Sequence, residues 1–140
     1  MNGIIANLFE LWGLAFIAPD FSKYMYKGGL YYGVFLVVFI LPLIVWLIYY
    51  KPLDNIKLAN NTAWTIILVS ITLLTGIFAY WYSYNGVLDY IYKHHIQKYQ
   101  ITYMDVFGFT LVACLWSLVS SMIWTFAFKP LSIKCRKVPF

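Results

Sequence analysis

The chain has 140 residues, of which 63% are hydrophobic and 11% charged, with a formal net charge of +5. Soluble domains draw about a quarter of their residues from Asp, Glu, Lys and Arg; a globule of this length has too little interior to hide so much apolar surface, which excludes a water-soluble catalytic domain. The positive charges lie outside the long apolar runs, where they read as topology and headgroup contact rather than as a nucleic-acid footprint.

In chain order, residues 4–18 are apolar but carry Glu10 in their middle. The segment lacks the basic start of a secretory signal, so it is expected to stay on the mature protein. It is short for a span, and is read as an N-terminal membrane helix that lies in the interface or crosses as a fourth span. Residues 30–50 contain no charge and, at 1.5 Å per residue, cross a ~30 Å hydrocarbon layer. Pro42 inside this span removes one backbone donor and should bend it. Residues 63–82 form the next span, behind the capping residues Asn60, Asn61 and Thr62.

Residues 86–100 place Leu88, Ile91, Tyr92, His95 and Tyr99 on one side and Asp89, Lys93, Gln97 and Gln100 on the other. That pattern predicts an amphipathic helix flat on the membrane surface. The last span, 106–128, follows Thr102 and Asp105, a capping-box pair. Residues 129–140 form a basic tail. The expected fold is thus an all-α integral membrane bundle, a single domain over 1–140, with three transmembrane helices, the short N-terminal helix and the interfacial helix. Cys114 and Cys135, in an apolar run and in the tail, read as unpaired.

Two patterns recur. Trp46 precedes Lys51-Pro52-Leu53 as Trp124 precedes Lys129-Pro130-Leu131, and Tyr24-Met25-Tyr26-Lys27 matches Tyr90-Ile91-Tyr92-Lys93. The offsets differ, and aromatic, Lys and Pro residues gather at any membrane boundary; the alternatives are therefore boundary chemistry and a parallel duplication. In the second case 4–18 should cross as the partner of the second span. Lys51, Lys57, Lys129, Lys134, Arg136 and Lys137 outnumber Lys23, Lys27, Lys93 and Lys98, which places the C-terminal tail in the cytoplasm.

Inside the three spans there is no Asp, Glu, Lys, Arg or His. Such groups usually mark proton relays and ion paths, so their absence argues against a pump or secondary transporter. Small and hydroxylated residues form stripes instead. Thr110, Cys114, Ser117, Ser121 and Thr125 share one face of the last span, with Val112, Leu115, Val119, Met122 and Phe126 opposite. Thr65, Thr72, Gly76, Ala79 and Ser83 form a seam on the second, and Gly29 and Gly33 open the first. These stripes either pack the helices of one chain or face a neighbour or a narrow pore. Glu10 is the candidate intramembrane charge, to bind a cation, pair with a partner lysine, or reach water. His94 and His95 point about 100° apart on a helix and make a poor metal pair. Neither a metal nor a cofactor is expected, and no catalytic motif is present. Aromatics cluster at span ends: Tyr31, Tyr32, Trp46, Tyr49, Tyr50, Trp64, Tyr80, Trp81, Tyr82 and Tyr84 read as the interfacial belt.

The expected function is a non-catalytic structural or anchoring subunit of a membrane complex, with the bilayer and other membrane subunits, or copies of itself, as partners. One alternative is a homo-oligomeric pore; the chain resembles holins in being short, multi-spanning and basic at its C-terminus. The other is a small carrier or lipid-interacting protein.

Overall fold

The computed structural model describes residues 2–13, 17–51, 60–96 and 100–132. Among these the chain is all-helical: α1 (Asn2–Gly13), α2 (Pro19–Lys27), α3 (Leu30–Tyr50), α4 (Asn61–Lys93) and α5 (Tyr103–Phe128), followed by a short 3-10 turn (Lys129–Leu131). Three helices, α3, α4 and α5 with its 3-10 extension, are long and apolar enough to cross a membrane. That fits a multi-pass membrane protein.

Local chemistry sets the helix starts. Asn60 Oδ1 accepts from the Ala63 N–H at 2.6 Å and caps α4. Thr102 and Asp105 form the capping box that opens α5, with the Thr102 N–H donating to the Asp105 carboxylate at 3.4 Å. Pro19 stands at the start of α2, where its missing N–H costs nothing. Gly29 ends the α2–α3 turn at φ 67°, a left-handed conformation that a side chain would strain.

The neighbours α3 and α4 run antiparallel: Gly33 of α3 lies under the Tyr82 ring of α4, and Trp46 stacks on Trp64 at 5.6 Å. Helix α5 packs along both of them, parallel to α3 and antiparallel to α4. The core has two parts. One gathers Tyr31, Val34, Val38, Val87, Phe109 and Val112 with Phe9, Phe21 and Met25 from α1 and α2. The other surrounds Trp46, Tyr49, Tyr50 and Trp64 at the opposite end of the bundle.

Three expectations change. Residues 86–93 do not form a separate surface helix; they are the last turns of α4. The apolar pattern in that stretch continues the buried stripe Thr75, Ala79, Ser83 and Val87 in the same 3.6-residue phase, and Leu30 packs over Gly86 without breaking the helix. At 1.5 Å per residue α4 is about 50 Å long, more than a ~30 Å hydrocarbon layer requires, and at its C-terminal end Lys93 pairs with Asp89 at 2.7 Å. Residues 97–99 of the expected surface helix lie outside the described residues.

The N-terminal helix is described over Asn2–Gly13; residues 14–16 of the expected segment lie outside the described residues, and Ile17 and Ala18 are not helical. The described part is roughly 18 Å long, short of a ~30 Å hydrocarbon layer, and a second helix, α2, begins at Pro19. Phe21 and Met25, one turn apart, bury the apolar side of α2 while Asp20, Lys23 and Lys27 stay exposed. Third, half of the expected aromatic belt turns inward. Tyr31, Trp46, Tyr49 and Tyr50 are at most 1% exposed and Trp64 is also buried, whereas Trp81 and Tyr32 do face outward. Trp46, Tyr49, Tyr50 and Trp64 pack in edge and stacked contacts with one another and Tyr31 packs against Phe9 and Phe109, so these rings belong to the core. Of the basic tail, residues 133–140 lie outside the described residues.

Candidate functional site

Along α5 the hydroxyl stripe is turned into the bundle. Ser117, Ser120, Ser121 and Thr125 are all fully buried. They meet two different partners.

Toward α3, the decisive residue is Pro42. Its nitrogen carries no hydrogen, so the Val38 carbonyl one turn earlier lacks its helical donor. The Ser120 hydroxyl donates to that carbonyl at 2.9 Å, and Trp124, one turn further along α5, donates its indole N–H to the adjacent Phe39 carbonyl at 3.1 Å. In lipid an unmatched backbone group costs several kcal/mol. The α3–α5 contact is therefore keyed to the proline. α3 runs through Pro42 as one helix.

Toward α4, close approach dominates. A methyl added at Gly76 would sit 2.8 Å from Cys114 Sγ, closer than real contacts allow. Cys114 Sγ in turn lies 3.7 Å from the Thr72 carbonyl. Ser117 donates to Thr75 Oγ1 at 3.2 Å, while Thr75 donates to the Ile71 carbonyl of its own helix at 2.8 Å. Thr72 and Thr110 likewise bond their own helices, at Leu68 and Val106. The Ser121 and Thr125 hydroxyls have no hydrogen-bond partner among the described residues, and neither do the indole nitrogens of Trp46 and Trp64.

Not every striped residue lies in a seam. Thr65 is exposed and donates to the Asn61 carbonyl; the buried stripe on α4 runs through Trp64, Leu68, Ile71 and Thr75, about 100° away. Gly29 is exposed and belongs to a turn, whereas Gly33 makes the close α3–α4 approach, with Tyr82 ring atoms 2.6 Å from where a methyl would stand. Val112, expected on the outer face of α5, is buried because α5 is flanked on two sides. Ser120 and Thr75 were not among the expected residues. The signal for Ser120 was Pro42, which announces a carbonyl in want of a donor.

Glu10 forms the other polar cluster. Its carboxylate accepts from the Ser22 hydroxyl, whose oxygen accepts from the Tyr31 hydroxyl at 2.9 Å, so one chain of hydrogen bonds links α1, α2 and α3. Above it opens a cleft of about 250 Å³ lined by Glu10, Ile17, Pro19 and Ser22. Phe9, Tyr31, Phe21 and Phe109 pack beneath with centroids 5.7–6.0 Å apart. Elsewhere, His94 stacks on Tyr90 at 4.1 Å; among the described residues no group of three His, Cys, Asp or Glu side chains could hold a metal ion.

No family model, curated protein or solved structure matches the chain.

Proposed function

We propose that the chain is a non-catalytic, multi-pass membrane subunit that anchors or scaffolds a larger assembly. The observation that carries this reading is the inward turn of the α5 stripe. Ser117, Ser121 and Thr125 are fully buried within one chain, so they offer no hydroxyl ring to a pore assembled from copies. The outward faces present Ile66, Val69, Leu73 and Ile77 on α4 and Leu115, Met122, Ile123 and Phe126 on α5. Such surfaces suit acyl chains or apolar partner helices. The positive balance of the tail side favours a cytoplasmic C-terminus.

Purification in mild detergent with mass analysis tests the reading. Other polypeptides should co-purify, and liposomes holding the chain alone should stay ion-tight. A discrete homo-oligomer that conducts ions, and whose leak Ser117→Leu abolishes, would restore the pore. For orientation, Cys135 should resist a membrane-impermeant thiol reagent applied to intact cells and react after permeabilisation.

A parallel duplication has its own support, and with it a carrier reading gains ground. Both Tyr-x-Tyr-Lys tetrads end a helix, α2 and α4, and each is followed two residues on by a left-handed residue, Gly29 at φ 67° and His95 at φ 50°. The first tyrosines, Tyr24 and Tyr90, pack with centroids 6.2 Å apart. A carrier should show substrate uptake that Glu10→Gln alters without changing assembly.

A further inference from the structure

We propose that the cleft beside Glu10 binds a primary ammonium group, carried by a small amine or by an ethanolamine lipid headgroup. The directions of the hydrogen bonds decide the class of ligand. Tyr31 donates to Ser22, and Ser22 spends its single hydrogen on Glu10. Both hydroxyl donors are thereby used, and what remains to face the cleft is lone pairs: a carboxylate oxygen and the second lone pair of the Ser22 oxygen. Among the described side chains that line the cleft, none keeps a hydrogen to offer an anion or a carbonyl. The cleft takes a donor.

Charge points the same way. Among the described residues no lysine or arginine nitrogen lies within 4 Å of the Glu10 carboxylate. Asp20, next to the lining residue Pro19, and Lys23, next to Ser22, are both exposed on α2 and of opposite sign, which leaves Glu10 as the charge that lines the cleft. A half-buried carboxylate with no cationic partner among the described residues is costly where water is scarce, and such groups in membrane proteins often mark ligand paths.

The remaining cations sort by coordination. A hard divalent ion asks for six or more oxygens, and the described side chains of the wall supply one carboxylate and one hydroxyl. A quaternary ammonium has no N–H and is held by aromatic faces, and among the described residues no aromatic side chain lines the cleft. A primary ammonium brings three N–H donors for Glu10 and Ser22, and its methylenes fit against Ile17 and Pro19. The volume of about 250 Å³ falls below the roughly 300–1,000 Å³ of drug-sized pockets. It suits a headgroup-sized fragment. This site is independent of the scaffold reading.

Glu10 is the sole glutamate of the chain, so isotopic labelling of glutamate at its carboxyl carbon yields one magnetic-resonance signal from the intact protein. In phosphatidylcholine nanodiscs, ethanolamine should shift that signal saturably. Choline should need roughly tenfold more, the difference that losing about one charge-assisted hydrogen bond makes. Nanodiscs containing phosphatidylethanolamine separate the sources: a shift without added amine assigns the headgroup, and a shift with free ethanolamine alone assigns a soluble amine. Ser22→Ala, which keeps the carboxylate, should weaken the ethanolamine response. Equal responses to ethanolamine and choline at matched ionic strength, or no saturable shift from either amine source, would overturn the proposal.

Discussion

Helix α5 is held on two sides by two different kinds of chemistry. Against α3, a hydroxyl and an indole answer specific backbone carbonyls next to Pro42. Against α4, small residues let the backbones approach, and most hydroxyls there satisfy their own helix. Serines at 117, 120 and 121 belong to the same helix and are equally buried, yet one matches a freed backbone group, one bonds a side chain and one has no partner among the described residues. Burial of a polar residue therefore says little about its energetic weight. What decides is whether the group across from it would otherwise go without a partner.

The largest effect should come from the close-approach side. Gly76→Val places branched carbon where a single methyl already comes within 2.8 Å of Cys114 Sγ. Overpacking of this kind costs about 1–3 kcal/mol, and this substitution belongs at the upper end. Reversible unfolding in mixed micelles is the measurement. If the clash is with the sulfur, adding Cys114→Ala should recover at least ~1 kcal/mol of the loss, a coupling expected only of residues in contact. Strict additivity would show that the two helices do not meet at this point.

Next comes the proline seam. Ser120→Ala strands the Val38 carbonyl in an apolar interior, and should cost about 1–2 kcal/mol. The same substitution in a Pro42→Ala background should cost almost nothing, since residue 42 then supplies its own N–H to Val38. An equal cost in both backgrounds would mean that Ser120 acts through packing and not through the carbonyl that the proline frees.

This pair also marks how far the amino-acid sequence could be read. The three spans were legible because charge-free apolar runs have few other solutions, and the starts of α4 and α5 were legible because Asn60, Thr102 and Asp105 act locally. Pro42 revealed half of the α3–α5 lock. The donor lay 82 residues away in the chain, and nothing local distinguishes Ser120 from Ser121. The continuation of α4 through Asn85-Gly86 was hidden because those residues resemble a turn, while the stripe that carries the helix onward shows only when its phase is followed from Thr75 to Val87. Glu10 stood out as a charge in an apolar run. Its partners did not, because Ser22 and Tyr31 belong to the next two helices and no local spacing points to them.

A smaller effect should follow from Ser117→Ala. The Ser117–Thr75 bond is inter-helical, but Thr75 keeps its bond to the Ile71 carbonyl when Ser117 is lost. Inter-helical hydrogen bonds in membrane proteins average about 0.6 kcal/mol, and the loss should not exceed that value.

The smallest effect tests the comparison most sharply. Thr125 is fully buried and its hydroxyl has no partner among the described residues. Thr125→Val keeps the shape and replaces the hydroxyl with a methyl, which removes a desolvated polar group without stranding another. Stability should stay within about 0.5 kcal/mol of the wild type or rise. A loss above ~1 kcal/mol would mean that the hydroxyl is bonded in the membrane, to water or to a neighbouring chain, and the α4 side of α5 would then be a polar surface in use rather than a packing seam. Flux through reconstituted vesicles distinguishes those two partners: a water-lined stripe leaks ions and Thr125→Val reduces the leak, whereas a bond to a neighbouring chain leaves the vesicles tight and shifts the mass of the purified assembly instead.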